Sequence, residues 1–173
     1  MRKIALSISE IKDIEKREFL RLGNSFRLME QAGEACAKQI IKIYKKNRFI
    51  VVCGPGNNGG DGLILSNSLS QSGKEVDLYC LGKNNYKGDS LKAYKKNKLK
   101  KKTLEELNIN QDAVIVDALF GIGLNKKIEG IFKECVNKIN GSKLKVIAVD
   151  IPSGVYGDNG KIMGEAVRAD VTL

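Results

Sequence analysis

The chain has 173 residues, a length that suits one domain with its own hydrophobic core and that requires no disulfide or metal staple. It contains no histidine, which excludes histidine–metal chemistry and leaves acid–base catalysis to Asp, Glu, Lys, Tyr or Cys. The formal net charge of +10 comes mainly from lysine, and aromatic residues make up only 6%, which favours a solvated surface over a nucleic-acid interface.

The pattern of apolar residues and cysteines predicts a cytoplasmic protein. No stretch reaches the roughly 20 apolar residues that a membrane span needs, and Met1–Leu6 is too short for a signal peptide. Cys36, Cys53, Cys80 and Cys135 include no C-x-x-C pair, which favours reduced, buried thiols over a disulfide or zinc site. We therefore expect no membrane and no nucleic acid among the partners.

Two helices are predicted before the first strand. The first covers Ser9–Leu20, with Ser9 as its N-cap. The second begins at Asn24 or Ser25 and carries a broad apolar stripe over Phe26–Ile43. Such helices pack on a sheet or on another subunit, and the length of the stripe predicts a homodimer.

A buried strand over Phe49–Val52 is predicted to lead into a glycine-rich loop at residues 54–62, followed by a helix over Leu63–Gln71. The loop satisfies the dinucleotide-binding pattern G-x-G-x-x-G, which alone is weak evidence. Glycines allow positive φ and a close backbone approach, and the free N–H groups at a helix start attract an anion. The segment therefore predicts a ligand that carries phosphate.

The second strand is predicted over Glu75–Leu81. A dehydrogenase would carry an acid at the carboxyl end of this strand to bind the ribose hydroxyls, but residues 80–83 read C-L-G-K. An NAD(P)-dependent oxidoreductase thus lacks its second diagnostic residue. A third helix, with a lysine-rich outer face, is predicted over Lys87–Lys102.

The next two predicted strands each deliver an aspartate into a turn that contains glycine. Ala113–Val116 runs into Asp117, and Leu144–Val149 runs into Asp150. Ligands of open α/β sheets bind outside the carboxyl ends of the strands. Each aspartate could cap its own turn, but the repetition at two strand ends favours a functional site.

A helix over Ile128–Ile139 separates those strands, and Asp158–Gly160 is predicted as a turn before a fifth strand that begins at Ala169. Alternating strands and helices predict an α/β chain with a three-layer Rossmann-like fold, its mostly parallel sheet flanked by helices. We see no internal repeat or linker, so a single domain is expected over residues 1–173.

Three segments together resemble the signature of the NAD(P)H-hydrate epimerases, the YjeF N-terminal domain family. They are G-P-G-N-N-G-G-D-G at 54–62, V-D-A-L-F-G-I-G-L at 116–124 and V-D-I-P-S-G at 149–154. L-M-E-Q-A-G at 28–33 resembles the leading helix of that family, and A-D-V-T at 169–172 its closing segment. Members commonly continue past that segment, so the resemblance implies that the domain is truncated at its C-terminus.

The resemblance implies an isomerase that interconverts the R and S forms of NAD(P)H hydrated at C6 of the nicotinamide ring (NAD(P)HX), in the repair of nicotinamide nucleotides. It also implies a functional partnership with an NAD(P)H-hydrate dehydratase. Two alternatives remain open. One is the NAD(P)-dependent oxidoreductase, and the other is a non-catalytic module for nucleotide binding or protein interaction.

The resemblance further implies which residues form the site. The substrate would contact Asn57, Asn58, Gly59, Gly60, Asp61, Gly121, Ile122, Gly123, Leu124, Asn125, Lys126, Lys127 and Asp150. One potassium ion per subunit would be held by Asn58, Asp117 and Ser153, whose amide, carboxylate and hydroxyl oxygens suit a hard cation. Family members typically have an Arg or a similar residue after G-x-G-L, where this chain has N-K-K.

The chemistry of epimerisation suggests the catalytic residue. A carbon that bears both a hydroxyl and the ring nitrogen can epimerise by opening to an aldehyde and reclosing on the other face. This needs a base at the hydroxyl and a proton donor near the nitrogen, which carboxylates can supply. Asp150 is the predicted base, Asp117 would be kept ionised by the cation, and Lys83 would assist with charge.

Overall fold

The sheet of this computed structural model, which describes residues 6–109 and 112–173, contains six strands in the described part of the chain. They are β1 (Arg48–Cys53), β2 (Glu75–Cys80), β3 (Lys101–Lys102), β4 (Val114–Ala118), β5 (Lys145–Ala148) and β6 (Val171–Thr172). Their order is β3-β2-β1-β4-β5-β6, and every pairing between neighbouring strands is parallel. The order reverses between β1 and β4, and in such sheets a ligand crevice lies at that point.

Five α-helices of the described residues flank the sheet. They are α1 (Ile8–Leu22), α2 (Ser25–Ile43), α3 (Asn57–Gln71), α4 (Gly88–Lys96) and α5 (Gly130–Gly141). Alternate residues of β1 face opposite layers: Phe49 and Val51 lie in one core with α2, α3 and α4, while Ile50 and Val52 lie in the other with α5. Because both faces of the strand are covered, its sequence is an unbroken apolar run. The predicted three-layer architecture is confirmed.

The glycine-rich segment is not the loop that the sequence predicted, because α3 begins at Asn57 and not at Leu63. The glycines of its first turns allow close packing. A Cβ on Gly59 would lie 1.7 Å from the Gly54 carbonyl oxygen, and a Cβ on Gly62 would lie 2.5 Å from the Ala118 Cβ. The helix therefore starts directly against the ends of β1 and β4.

The helix predicted over Lys87–Lys102 was also wrong in its extent. It ends at Lys96, and the buried Asn97 side chain donates to the Leu63 carbonyl oxygen at 2.8 Å and to the Ser66 hydroxyl at 2.9 Å. This contact with α3 turns the chain back to the sheet, where β3 pairs with β2. β3 consists of two lysines, which are not typical of a strand, so the sequence did not predict it.

Smaller differences concern helix ends. Ser7, and not Ser9, caps α1, in a capping box with Glu10. Asn24 caps α2 as predicted, through a bond from the Phe26 N–H at 2.9 Å. The turn predicted near residue 159 is confirmed, since the Gly160 N–H donates to the Tyr156 carbonyl at 2.8 Å.

The apolar stripe of α2 is largely used inside the molecule. Phe26, Met29, Ala37 and Ile40 are buried in the core. Large apolar side chains are instead exposed on α1, where Ile14 is 50%, Phe19 42% and Leu20 70% exposed. None of the helices in residues 6–109 and 112–173 has both the length and the apolar character that a membrane crossing requires.

Candidate active site

Three neighbouring strands, β1, β4 and β5, bring three motifs to one edge of the sheet. A cavity of about 660 Å³ opens there. Of the residues predicted to contact substrate, it is lined by Asn57, Asn58, Asp61, Gly121, Ile122, Gly123, Leu124, Asn125, Lys126 and Asp150. The predicted meeting of the motifs around a common pocket is therefore what the structure shows.

Three of the predicted contact residues do not line the cavity. A Cβ on Gly59 would meet the Gly54 backbone, and a Cβ on Gly60 would lie 2.6 Å from the Met29 sulfur, so both positions face protein. Lys127 is exposed, with its Cβ 3.5 Å from where a Cβ on Gly164 would lie. Lys83, the predicted charge assistant, also lies outside the lining, in a short 3₁₀ turn after β2.

Asp150 lies on the cavity wall, directly after β5, with a left-handed backbone at φ 70°. Its Oδ2 accepts a hydrogen bond from the Ile122 N–H at 2.7 Å. A Cβ on Gly121 would lie 2.1 Å from that oxygen and 3.4 Å from the Asn58 Cβ, so both Asp150 and Asn58 pack against Gly121. Burial raises the pKa of Asp150, and the bond from Ile122 opposes this rise.

Asp117, near the end of β4, is fully buried and is not among the residues that line the cavity. One oxygen, Oδ2, accepts from the Ser153 N–H at 2.8 Å. The other, Oδ1, accepts from the Ser153 hydroxyl at 2.6 Å and from the Leu119 N–H at 3.2 Å. Burial raises the pKa of Asp117 to about 6 against these bonds. The bonds from Ser153 link the end of β4 to the loop after β5.

Asn58, in the first turn of α3, is only 7% exposed. Neither atom of its side-chain amide has a hydrogen-bond partner in the described part of the chain. A buried amide without partners is costly, on the order of 1–3 kcal/mol, and native proteins rarely retain one without a bound group. The side chain therefore indicates that a ligand or ion belongs here.

The sequence did not predict that α1 and α2 form part of the cavity wall. Lys12 and Glu15 of α1 and Cys36 of α2 line the cavity. Lys12 and Glu15 lie three residues apart and so share one helix face, but the sequence gave no sign of what that face covers.

Burial raises the pKa of Asp61 to about 7, and the charges of Asp150 and Glu15 contribute further.

The geometry also bears on two other kinds of site, a metal centre built from Cys and acidic side chains and the ribose-binding acid of a dehydrogenase. No group of three or more Cys, Asp or Glu side chains in residues 6–109 and 112–173 is arranged to hold a metal ion. Asp77 of β2 forms ion pairs with Lys102 and Arg48. The carboxyl end of β2 carries Cys80, so no carboxylate is placed there for a ribose.

Comparison with known proteins gives one consistent family. The model of the family described as YjeF-related protein N-terminus matches residues 25–173. The bifunctional NAD(P)H-hydrate repair enzyme Nnr of Thermofilum pendens is 38% identical over 96% of this chain and 34% of its own length. The NAD(P)H-hydrate epimerase of Limosilactobacillus reuteri is 35% identical over 86% of this chain and 73% of its own.

A third relative, the NAD(P)H-hydrate epimerase of Lentilactobacillus buchneri, is 32% identical over 95% of this chain and 80% of its own. The chain thus spans about a third of the length of the bifunctional relative (34%) and about three quarters of the epimerases. The crystal structure of yeast ynu0, YNL200c, shares the fold, with a TM-score of 0.79 at 24% identity over 98% of this chain and 79% of that one. The chain belongs to the family of YjeF-related protein N-termini.

Proposed function

We propose that this chain is an NAD(P)H-hydrate epimerase, an isomerase that interconverts the R and S forms of NAD(P)HX. The observation that carries the proposal is the meeting of Asn58, Gly121 and Asp150 in one cavity at the edge of the sheet. The names of the three relatives support the same activity. Its products and substrates would be shared with a dehydratase, and the bifunctional name of the Thermofilum relative supports that partnership.

The cavity suits a dinucleotide with a hydrated ring at its inner end. Gly56 caps α3 without a side-chain hydrogen bond, so the N–H groups of the first turn are available to a phosphate. Lys12 and Lys126 line the same cavity and add positive charge. The polar groups around Asn58 and Asp150 would then face the nicotinamide ring.

Asp150 is the base in this proposal. Its Oδ2 is held by the Ile122 N–H, which fixes the carboxylate, while Oδ1 accepts no hydrogen bond from the described residues. Removal of the proton from the C6 hydroxyl lets the C6–N1 bond break and an aldehyde form. Rotation about the C5–C6 bond presents the other face of the aldehyde, and reclosure gives the other epimer.

We also propose that a potassium ion is held by Asn58, Asp117 and Ser153. The Asn58 amide oxygen is buried and has no hydrogen-bond partner among the described residues, and the Asp117 carboxylate and Ser153 hydroxyl supply further hard oxygen donors. When bound, the ion would offset the negative charge of Asp117 and fix the loops after β4 and β5 relative to α3. Asp117 and Ser153 hold those two loops together through their own hydrogen bonds.

The decisive experiment supplies the protein with NAD(P)HX depleted in one epimer and follows the R/S ratio by chromatography, with a protein-free control. We expect rapid restoration of the equilibrium ratio. Ligand binding without a change in the ratio would favour a non-catalytic module. A change in absorbance at 340 nm with an added substrate would favour an oxidoreductase.

Asp150→Asn should abolish exchange above the protein-free rate, because an amide cannot accept the hydroxyl proton, while the hydrate still binds by calorimetry. Glu129→Gln, which neutralises an exposed acid outside the cavity, is the control and should retain full activity. Full activity of Asp150→Asn would rule out this residue as the base.

The potassium proposal predicts that KCl stabilises the protein against heat more than an equal concentration of tetramethylammonium chloride, because only the folded state holds the ion. Asn58→Ala should remove that difference. An equal effect of both salts on the wild type would contradict the proposal.

We further propose a cytoplasmic homodimer. Ile14, Phe19 and Leu20 expose apolar surface on α1, and a second copy would cover it. Sedimentation that shows only monomer at high concentration would contradict the dimer.

A further inference from the structure

Three carboxylates from three separate elements line the same cavity. Asp61 belongs to α3, Asp150 follows β5, and Glu15 belongs to α1. None of them forms an ion pair with a Lys or Arg of the described residues, and their charges interact. Burial raises the pKa of Glu15 and the charge of Asp150 raises it further, whereas the charge of Lys12 lowers it. Glu15 also lies outside residues 25–173, which the family model matches.

Asp61 and Asp150 have different surroundings. Burial raises the pKa of Asp150, but a hydrogen bond from a backbone N–H opposes this rise and favours the ionised form. Asp61 makes no side-chain hydrogen bond within residues 6–109 and 112–173, and burial with two neighbouring carboxylates raises its pKa to about 7. Two acids whose environments separate their pKa values can serve as a base and an acid at the same pH.

A further observation indicates that a ligand reaches this pair. Asn58 lies one helical turn before Asp61 on α3 and lines the same cavity, and neither atom of its buried amide has a partner among the described residues. The amide oxygen is the proposed potassium ligand, so the amide nitrogen is the atom that would donate to a substrate beside the Asp61 carboxyl.

We propose that Asp61 is a second catalytic residue of the epimerisation, the proton donor to the ring nitrogen, and that Glu15 is a positioning residue that keeps the proton on Asp61. The proposal rests on the proposed function. As Asp150 takes the hydroxyl proton, the electrons of the breaking C6–N1 bond pass to N1, which takes the proton of Asp61. On reclosure N1 attacks the other face of the aldehyde and returns its proton to Asp61, while the carbonyl oxygen recovers the proton from Asp150.

The proposal makes a prediction about the dependence of the exchange rate on pH. Exchange requires a protonated Asp61, so the rate should fall as the pH rises through about 7. The charged and titratable groups that line the cavity with Asp61 are Lys12 and Glu15 of α1, Cys36 of α2, Lys126 after β4 and Asp150 after β5. Of these, Glu15 can be changed without touching the proposed base or donor.

The rate–pH profiles of four variants test the proposal. Asp61→Asn should lower the rate by about 10²-fold or more and remove the alkaline limb of the profile. Glu15→Gln removes a negative charge beside Asp61, so the limb should move to lower pH while the rate at acidic pH is retained. Glu15→Asp should restore the wild-type limb. Asp13→Asn, at an exposed acid elsewhere on α1, is the control and should change neither.

A titration that needs no activity separates this proposal from the proposed function. Carbon-13 NMR of carboxyl-labelled aspartate should show one group that titrates near pH 7, absent in Asp61→Asn and shifted to lower pH in Glu15→Gln. Wild-type exchange with an alkaline limb that neither substitution moves would overturn the roles of Asp61 and Glu15 and leave the epimerase proposal standing. If no aspartate carboxyl titrates near pH 7, the inference is overturned whether or not the protein shows exchange activity.

Discussion

Gly121, in the loop after β4, lies against the Asp150 carboxylate, which follows β5. A Cβ at this position would lie 2.1 Å from the Asp150 Oδ2, well inside van der Waals contact. The next residue, Ile122, donates its N–H to the same oxygen. The position of the proposed base therefore depends on a residue without a side chain.

Gly121→Ala should lower the exchange rate at least tenfold, because the added methyl group must displace the Asp150 carboxylate. Gly141→Ala is the control, since this residue lies outside the cavity lining and a Cβ there would meet no atom within 4 Å. Chromatographic exchange assays and circular dichroism would separate loss of activity from loss of fold. An equal loss in both variants would contradict the geometric argument.

Single residues also show how far a sequence can predict a site. The candidate residues Asn58, Asp117 and Asp150 could be predicted because each follows or overlaps a strand end within a recognisable motif. The proposed partnership of Asp61 with Glu15 could not be predicted, because α1 has no motif and its placement over the cavity depends on tertiary packing. The burial that shifts the pKa of Asp61 is likewise a property of the folded chain.

At the scale of elements, α2 packs closely on α3 beside the cavity. Gly33 of α2 lies against α3, where a Cβ would be 2.6 Å from the Ile64 Cβ and 2.7 Å from the Asp61 carbonyl oxygen. The two helices thus approach closely beside one of the cavity's carboxylates.

Gly33→Ala should destabilise the protein by about 1–3 kcal/mol through overpacking, despite the higher helix propensity of alanine. Gly141→Ala, at the last residue of α5 with no atom within 4 Å of the added Cβ, is the control. Urea unfolding should give a lower midpoint for the first variant and an unchanged or higher midpoint for the second. An unchanged urea midpoint for Gly33→Ala would show that the two helices can move apart to accept the methyl group.

The elements that sequence reasoning misjudged have physical explanations. Residues 57–62 read as a loop because glycines usually break helices, yet here their missing side chains let α3 abut β1 and β4. The early end of α4 depends on the bonds from Asn97 to α3, which are contacts between elements distant in the chain. β1 and β4 were predicted well because buried parallel strands are largely apolar.

At the scale of the whole molecule, the strand order places the ends of β1, β4 and β5 side by side. Alternating strands and helices were sufficient to predict this class of fold. They did not reveal that β3 and β6 are two residues long, since edge pairing of this length leaves little pattern. The three motifs nevertheless meet as the parallel arrangement requires.

The buried acids predict how the stability of the whole molecule varies with pH. The pKa of Asp61 is raised in the folded state, so its favourable contribution is present below pH 4 and is lost as the pH rises to about 7. We expect the free energy of unfolding to fall over that range, by about 2 kcal/mol from this group after solvent screening. Asp61→Asn should flatten the fall in chemical denaturation series, whereas Asp13→Asn should not. A fall of the same size in Asp61→Asn would assign it to other groups.

Asp150 is the one non-glycine residue with positive φ in the described part of the chain. Such a backbone costs on the order of 1 kcal/mol, which glycine would not incur. Under directed evolution for heat resistance alone, a mutant library should become enriched in glycine at this position, and those survivors should be inert. The retention of aspartate at this strained backbone position would therefore reflect natural selection for activity and not for stability.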